Sequence, residues 1–116
     1  MEKVVWTGFV YPGKIEEYRK RHDEIWPEMR KALYRAGVRN YSIFSNGERL
    51  IGYYECDSKE FTEARKRAEP VMKKWQDFMR DIMELETNQG EPPFEKVFSL
   101  EEAKTEEQTE KGEGKV

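Results

Sequence analysis

The dipeptide Asn46-Gly47 lies between two runs of residues that favour extended structure, and it constrains the fold more than any other part of the sequence. Residues 38–45 read VRNYSIFS and residues 49–56 read RLIGYYEC, and both runs are rich in β-branched and aromatic side chains. Asn-Gly between two such runs is the strongest short signal for a hairpin turn. The two runs are therefore predicted to pair as neighbouring antiparallel strands.

A long helical stripe precedes this hairpin. Between residues 14 and 36, apolar and aromatic side chains recur at steps of three or four, the spacing of one helix face. The positions are Ile15, Tyr18, His22, Ile25, Met29 and Leu33. Pro27 lacks an N–H and clashes with the carbonyl four residues back, so it is predicted to kink the helix or restart it near Trp26. Gly37 is a natural residue to end it.

The remaining segments complete a recognisable order of elements. Residues 3–11 and 96–100 are predicted to be the first and last strands. Asp57 with Glu60 is typical of an N-cap pair and predicts a helix after the hairpin, and Pro70 then begins a second helical segment. Its stripe is Val71, Trp75, Phe78, Ile82 and Leu85. The order β-α-β-β-α-β predicts an α+β, ferredoxin-like domain, whose antiparallel sheet carries helices on one face only.

The charge distribution separates a body from a tail. The chain has 116 residues, which suits one domain, predicted here to be residues 1–100. Residues 101–116 contain six Glu and three Lys, so they account for the whole formal charge of −3. This tail has no aromatic residue and too little apolar surface to offset the entropy lost on ordering, so it is predicted to be disordered.

The same composition limits the partners that are expected. The body is formally neutral, so nothing favours nucleic acid or an anionic membrane surface. No apolar run approaches the ~18 residues of a membrane span, and the N-terminus does not read as a signal peptide. The single cysteine, Cys56, cannot form an internal disulfide and is predicted to fill space in the core. A cytoplasmic protein is the simplest interpretation.

His22, the single histidine, is the leading candidate for chemistry by elimination. The sequence has no Gly-rich phosphate loop and no CxxC or HxxxH spacing, so no metal site is predicted. Tyr18 lies one turn earlier on the same helix side. Tyr and Trp rings suit a sugar pocket, because they stack on C–H faces and bond hydroxyls. An imidazole beside Tyr hydroxyls fits proton transfer on a neutral polyol, although a purely structural histidine stays open.

The stretch FVYPGKIEEYRKRHDEIWPEM resembles the L-rhamnose mutarotase family. That family has an N-terminal strand followed by E-E-Y-x-x-R-H-x-x-I-W-P-E. Further matches are Gly37, the run Asn40-Tyr41-Ser42-Ile43, the W-x-x-x-M-x-D-x-M pattern of Trp75, Met79, Asp81 and Met83, and a closing strand at Val97-Phe98. The resemblance covers about residues 3–100.

The resemblance implies an isomerase without cofactor or metal, which interconverts the α and β anomers of L-rhamnose or a related 6-deoxy sugar by acid/base ring opening and closure. The family's catalytic histidine, its proton donor, falls on His22, and its sugar-binding tyrosines fall on Tyr18 and Tyr41. The family's Trp-Trp pair, which contacts the sugar, reads Trp75-Gln76 here. Family members also imply a homodimer of the dimeric α+β barrel type, in which open sheet faces meet.

Three other classes of function stay open at this point. One is a non-catalytic small-molecule or haem-binding protein of the dimeric ferredoxin-like type, in which a lone histidine is an axial iron ligand. The match around Trp26-Pro27, as well as at His22, argues against it. A sugar-binding module without catalysis is compatible with Gln76. A purely structural dimerisation domain is the third.

Overall fold

A computed structural model describes residues 1–86 and 94–102 of the chain. Within these ranges the elements are β1 (Glu2–Val10), α1 (Ile15–Asp23), α2 (Pro27–Arg35), β2 (Arg39–Asn46), β3 (Arg49–Cys56), α3 (Lys59–Ala68), α4 (Pro70–Met79), β4 (Met83–Leu85) and a 3-10 helix at Leu100–Glu102. Almost all of the predicted disordered tail lies outside the described residues.

The strands form one antiparallel sheet in the order β2-β3-β1-β4. The register pairs Trp6 of β1 with Gly52 of β3, and Gly8 of β1 with Leu85 of β4. The predicted ferredoxin-like α+β fold is therefore confirmed. The sheet of the single chain is open rather than closed into a barrel.

The core lies between one sheet face and the helices. Side chains alternate between the faces of a strand, so Val10 and Leu50 point towards the helices and are almost fully buried. They pack with Met29 of α2 and Met79 at the end of α4. On the other face, no α-helix of the described residues packs over the apolar side chains, and Phe44 there is 63% exposed. The prediction of helices on one face is confirmed.

Pro27 divides the predicted first helix into two. Helix α1 ends at Asp23, and α2 begins at Pro27 as its first residue. Trp26 between them has extended backbone angles, with φ −62° and ψ 136°, because the residue before a proline disfavours the helical region. The predicted restart near Trp26 is confirmed, and it gives α1 and α2 independent directions over the sheet.

The predicted hairpin is also confirmed, with its turn one residue later than Asn46-Gly47. Asn46 pairs with Arg49, so Gly47 and Glu48 are the two turn residues. Gly47 has φ +66°, as the first central position of a type II′ turn requires.

Three predictions about the bounds of elements are wrong. Helix α4 ends at Met79, and the following Met83–Leu85 is the last strand, paired with β1. Residues 96–99 have no regular structure, so the strand predicted at 96–100 is not there. Ile82 and Leu85 continue the helical spacing of apolar residues, but Ile82 lies in the core and Leu85 lies in the edge strand β4. At α3, Ser58 rather than Asp57 is the N-cap, since its Oγ accepts from the N–H of Phe61 at 3.2 Å.

Candidate active site

Helix α1 places Tyr18 and His22 side by side, facing the sheet. They are four residues apart, so their rings meet on one helix face. The rings are stacked with centroids 4.3 Å apart and an interplanar angle of 30°. Tyr18 is buried, and burial raises the pKa of its hydroxyl, which therefore stays protonated and able to donate.

The hydrogen bond of His22 defines its tautomer. Its Nδ1 lies 3.1 Å from the carbonyl oxygen of Tyr18. A carbonyl oxygen accepts and cannot donate, so Nδ1 carries the proton and donates it. In the neutral ring the lone pair is then on Nε2. Burial lowers the pKa of His22 below its ordinary value, against the smaller opposing effects of this bond and of Asp23, so the neutral ring is favoured.

Helix α4 supplies the neighbouring wall. Trp75 is buried, and its ring meets His22 edge-on at a centroid distance of 5.4 Å. Trp26, from the break between α1 and α2, meets Trp75 edge-on at 5.0 Å. The next residue, Gln76, is exposed. The predicted pair Trp75-Gln76 thus places an indole within the wall and an amide at its outer edge.

Arg21 ties α1 to the end of α4. Its guanidinium donates to the Phe78 carbonyl at 2.6 Å, to Asp81 at 2.9 and 3.3 Å, and to Glu17 at 2.8 Å. Hydrogen bonds from Arg21 lower the pKa of Asp81 and of Glu17. Because His22 is the next residue on α1, this tie also sets how far His22 lies from α4.

A bulge in β2 includes Tyr41, whose side chain faces the helices. Two residues, Asn40 and Tyr41, lie opposite the single residue Tyr54 of β3. Asn40 takes up the irregularity with φ +51°, a left-handed conformation that Asn tolerates better than most residues. Its side-chain amide donates to Glu55 at 2.8 Å. Tyr41 consequently packs edge-on against Tyr54, with ring centroids 5.4 Å apart.

The hydroxyl of Tyr41 is held by Trp6, whose Nε1–H donates to it at 2.9 Å. Gly52 makes this contact possible. A Cβ at Gly52 would lie 2.1 Å from the indole of Trp6, so only glycine leaves space for the ring across β3. Tyr41 is 36% exposed, yet loss of solvent around its hydroxyl raises its pKa to about 12.

A second polar group lies on the α3 side. The Tyr54 hydroxyl donates to Oε2 of Glu63 in a short hydrogen bond. Nζ of Lys66 lies 3.6 Å from the same oxygen and 5.1 Å from the centroid of the Tyr54 ring. Burial, followed by the bond to Glu63, raises the pKa of Tyr54.

These walls enclose an open cavity of about 1060 Å³ between the helices and the sheet. The cavity brings together every residue predicted from the sequence as a site residue, namely Tyr18, His22, Tyr41, Trp75 and Gln76. Their roles remain predictions. It also includes Trp6, Tyr54, Glu63 and Lys66, for which the sequence predicts no role in the site. The last two, at an i, i+3 spacing, look like an ordinary solvated helix face.

Comparison with known proteins bears on this arrangement. The family model described as L-rhamnose mutarotase matches residues 3–103. The chain belongs to the L-rhamnose mutarotase family. An L-rhamnose mutarotase of Listeria monocytogenes is 41% identical over 90 residues, which are 76% of this chain and 86% of that protein. Family membership confirms the resemblance and the prediction that the chain is a mutarotase enzyme.

Solved structures agree with the family at the level of the fold. The crystal structure of an L-rhamnose mutarotase from Formosa agariphila has a TM-score of 0.69 at 28% identity, with 86% of this chain and 99% of that chain covered. A dimeric ferredoxin-like protein from an uncultured marine organism has a TM-score of 0.52 at 20% identity, with 83% and 97% covered. In residues 1–86 and 94–102 no helix has the length and apolarity needed to cross a membrane.

Proposed function

We propose that this mutarotase interconverts the α and β anomers of L-rhamnose or a related 6-deoxy sugar by acid/base ring opening and closure, with His22 as a proton-transfer group. The observation that carries the proposal is the state of His22. Its Nδ1–H is engaged by the Tyr18 carbonyl, which leaves Nε2 for a ligand in a cavity that also exposes Tyr and Trp side chains.

Ring opening requires two proton movements. The anomeric hydroxyl loses its proton and the ring oxygen gains one, while the bond between C1 and the ring oxygen breaks to give an aldehyde. Neutral His22 can accept the anomeric proton on Nε2, because its lowered pKa keeps it unprotonated near neutral pH. A second group must deliver the proton to the ring oxygen, and a Tyr hydroxyl, a water or a carboxylate can serve.

Ring closure reverses these movements. After rotation about the C1–C2 bond, the hydroxyl on C5 attacks the other face of the aldehyde and gives up its proton to the second group. Protonated His22 returns its proton to the carbonyl oxygen, which becomes the anomeric hydroxyl. Each group ends in its starting state, so no redox cofactor is needed. A positioned acid or base of this kind typically accelerates a reaction by about 10²–10⁴-fold.

The other cavity residues have binding roles in this proposal. Trp75 offers its ring to the apolar face of the sugar, and Tyr18 and Tyr41 orient its hydroxyls. Gln76, at the position of the family's second Trp, can bond a hydroxyl but cannot stack like an indole. We therefore place it in recognition of the sugar's periphery.

We also propose that the chain forms a homodimer through the open sheet face. Phe44 and Ile51 on that face are 63% and 43% exposed, and apolar patches of this kind usually mark an interface. The structural neighbour described as dimeric and ferredoxin-like is consistent with this. Ile51→Lys is expected to give a monomer in sedimentation velocity, and an unchanged dimer would contradict this interface. The cytoplasmic location and the division into residues 1–100 and 101–116 stay predictions.

Saturation-transfer NMR on equilibrated L-rhamnose tests the catalytic proposal. Saturating the α-anomer signal is expected to reduce the β-anomer signal in the presence of the wild-type protein, and His22→Ala is expected to slow this exchange by at least about 10²-fold. Lys20→Ala, a substitution at an exposed position of α1, serves as the matched control for folding and for general charge effects.

Full exchange by a folded His22→Ala variant would contradict the role of His22. If the wild type exchanges L-fucose or L-lyxose but not L-rhamnose, the reaction stands and the substrate changes. Saturable sugar binding without exchange for any of them would favour a binding module.

A further inference from the structure

The cluster formed by Tyr54, Glu63 and Lys66 lines the cavity but has no part in the proton transfer by His22. The side chains of Glu63 and Lys66 are 32% and 21% exposed, so their ion pair is partly desolvated. Holding two charges in such a place rarely benefits the fold, because an apolar pair of similar size often stabilises it as well or better. A ligand-binding role accounts for the pair more directly.

The geometry leaves groups for a ligand. The contacts of Glu63 with Tyr54 and with Lys66 both use its Oε2 oxygen, so within the described residues Oε1 is left to accept a hydrogen bond. The ammonium of Lys66 has three donors, and its distance of 3.6 Å to Glu63 is longer than a hydrogen bond. A carboxylate oxygen and an ammonium side by side match two adjacent hydroxyls, of which one donates and the other accepts.

The cluster lies at a distance from His22 along the cavity. His22 stacks on Tyr18, whose hydroxyl is close enough to Tyr41 for an electrostatic interaction. Tyr41 packs against Tyr54, and Tyr54 is hydrogen-bonded to Glu63, so three side chains separate His22 from Glu63. In a pyranose, C3 lies opposite the ring oxygen and C4 lies opposite C1. A sugar with C1 and its ring oxygen at His22 therefore directs C3 and C4 away from it.

We propose that Glu63 and Lys66 form a subsite for the vicinal hydroxyls on C3 and C4 of the sugar. This inference rests on the proposed function, because it places C1 at His22. Tyr54 positions Glu63 through its hydrogen bond and does not touch the sugar. The substrate class is then a pyranose with both hydroxyls free, and the subsite holds the ring while C1 opens and closes.

The test removes the sugar hydroxyls and the protein side chains separately and together, and compares the effects on KM. KM for anomer exchange is measured by NMR with L-rhamnose, 3-deoxy-L-rhamnose and 4-deoxy-L-rhamnose. The proteins are the wild type, Glu63→Ala, Lys66→Met and the control Glu60→Ala, an exposed residue of α3. In the wild type and the control, loss of either hydroxyl is expected to raise KM by about tenfold or more, the usual effect of losing a hydrogen bond to a charged group.

Each variant lacks the side chain that binds one of the two hydroxyls. In Glu63→Ala and Lys66→Met, removing that hydroxyl from the sugar is therefore expected to raise KM by less than about twofold, because its protein partner is already gone. Equal penalties in the wild type and both variants would overturn the subsite and leave a structural ion pair. If Glu63→Ala does not fold, Glu63→Gln keeps a partner for Tyr54 and allows the same comparison.

A second readout separates this inference from the proposed function. If the wild type binds L-rhamnose in calorimetry without exchanging its anomers, the catalytic proposal fails. The effect of removing the C3 or C4 hydroxyl is then measured as an increase in Kd. An increase in Kd that is present in the wild type and absent in Glu63→Ala or Lys66→Met would still support the subsite. No saturable binding of L-rhamnose, L-fucose or L-lyxose would overturn both.

Discussion

Replacing Gly52 with Ala tests how far the site depends on one close contact. The new Cβ would lie 2.1 Å from two atoms of the Trp6 indole, a distance that no relaxed structure contains. Gly52 does not have a positive φ, so alanine brings no backbone strain of its own. The indole must therefore move, and its hydrogen bond to the Tyr41 hydroxyl at 2.9 Å is lost.

The expected cost has two parts. Overpacking a well-filled core costs about 1–3 kcal/mol, and the lost hydrogen bond costs about 0.5–1.5 kcal/mol more. The free energy of unfolding is thus expected to fall by about 2–4 kcal/mol in total, which for a domain of this size lowers Tm by roughly 10–20 °C. Since Tyr41 loses its orienting partner, KM for the sugar is expected to rise as well.

Urea denaturation of four proteins measures this effect as a double-mutant cycle: the wild type, Gly52→Ala, Trp6→Leu and the double variant. In the Trp6→Leu background, Gly52→Ala is expected to cost less than about 0.5 kcal/mol, because the smaller side chain leaves room for the Cβ. An equal cost in both backgrounds would refute the reasoning, since the penalty would then not come from Trp6.

Three further predictions concern the orientation and charge of the site. Because burial lowers the pKa of His22 and its neutral form is the proposed base, kcat/KM is expected to rise with pH through a pKa below ~6.5 and then to level off. Arg21→Lys cannot reproduce the forked contacts with α4, so it is expected to slow anomer exchange about tenfold by misplacing His22, whereas Lys20→Met is not. Asn40→Val is expected to cost about 1–2 kcal/mol of stability and to weaken sugar binding through Tyr41, because a β-branched residue is strained at φ +51°.

Each prediction has a direct check. A rate that falls as pH rises from 5 to 7 would mean that protonated His22 acts first, contrary to the proposal; NMR titration of the ring gives its pKa independently. For Arg21→Lys, normal exchange in a protein that melts at a lower temperature would indicate a tie that is only structural. For Asn40, the glycine variant is the control, since glycine accepts this conformation and should bind sugar normally.

Much of the fold follows from local chemistry in the sequence. The hairpin at Asn46-Gly47 and the break at Pro27 are both set by backbone preferences of single residues, which tertiary packing rarely overrides. The stacking of Tyr18 on His22 follows from helix periodicity alone. These features were predictable because each depends on residues close together in the chain.

The features that were missed depend on contacts between distant segments. The segment Met83–Leu85 becomes a strand because the edge of β1 is there to pair with it, and nothing in its own three residues indicates this. The contact of Trp6 with Gly52 exists only in the observed register. Glu63 enters the site because α3 turns it towards Tyr54, and its i, i+3 partner Lys66 gives it the pattern of a surface residue.

The bulge at Asn40 and Tyr41 makes the length of β2 a determinant of what the cavity contains. Two residues share the place opposite Tyr54 on the helix side of the sheet, so deleting Tyr41 would restore regular pairing and leave Asn40 as the residue that faces the cavity there. The hairpin, the helices and the core would keep their positions. A mutarotase built in this way can therefore exchange one cavity-facing side chain for another through a single-residue deletion as well as through a substitution.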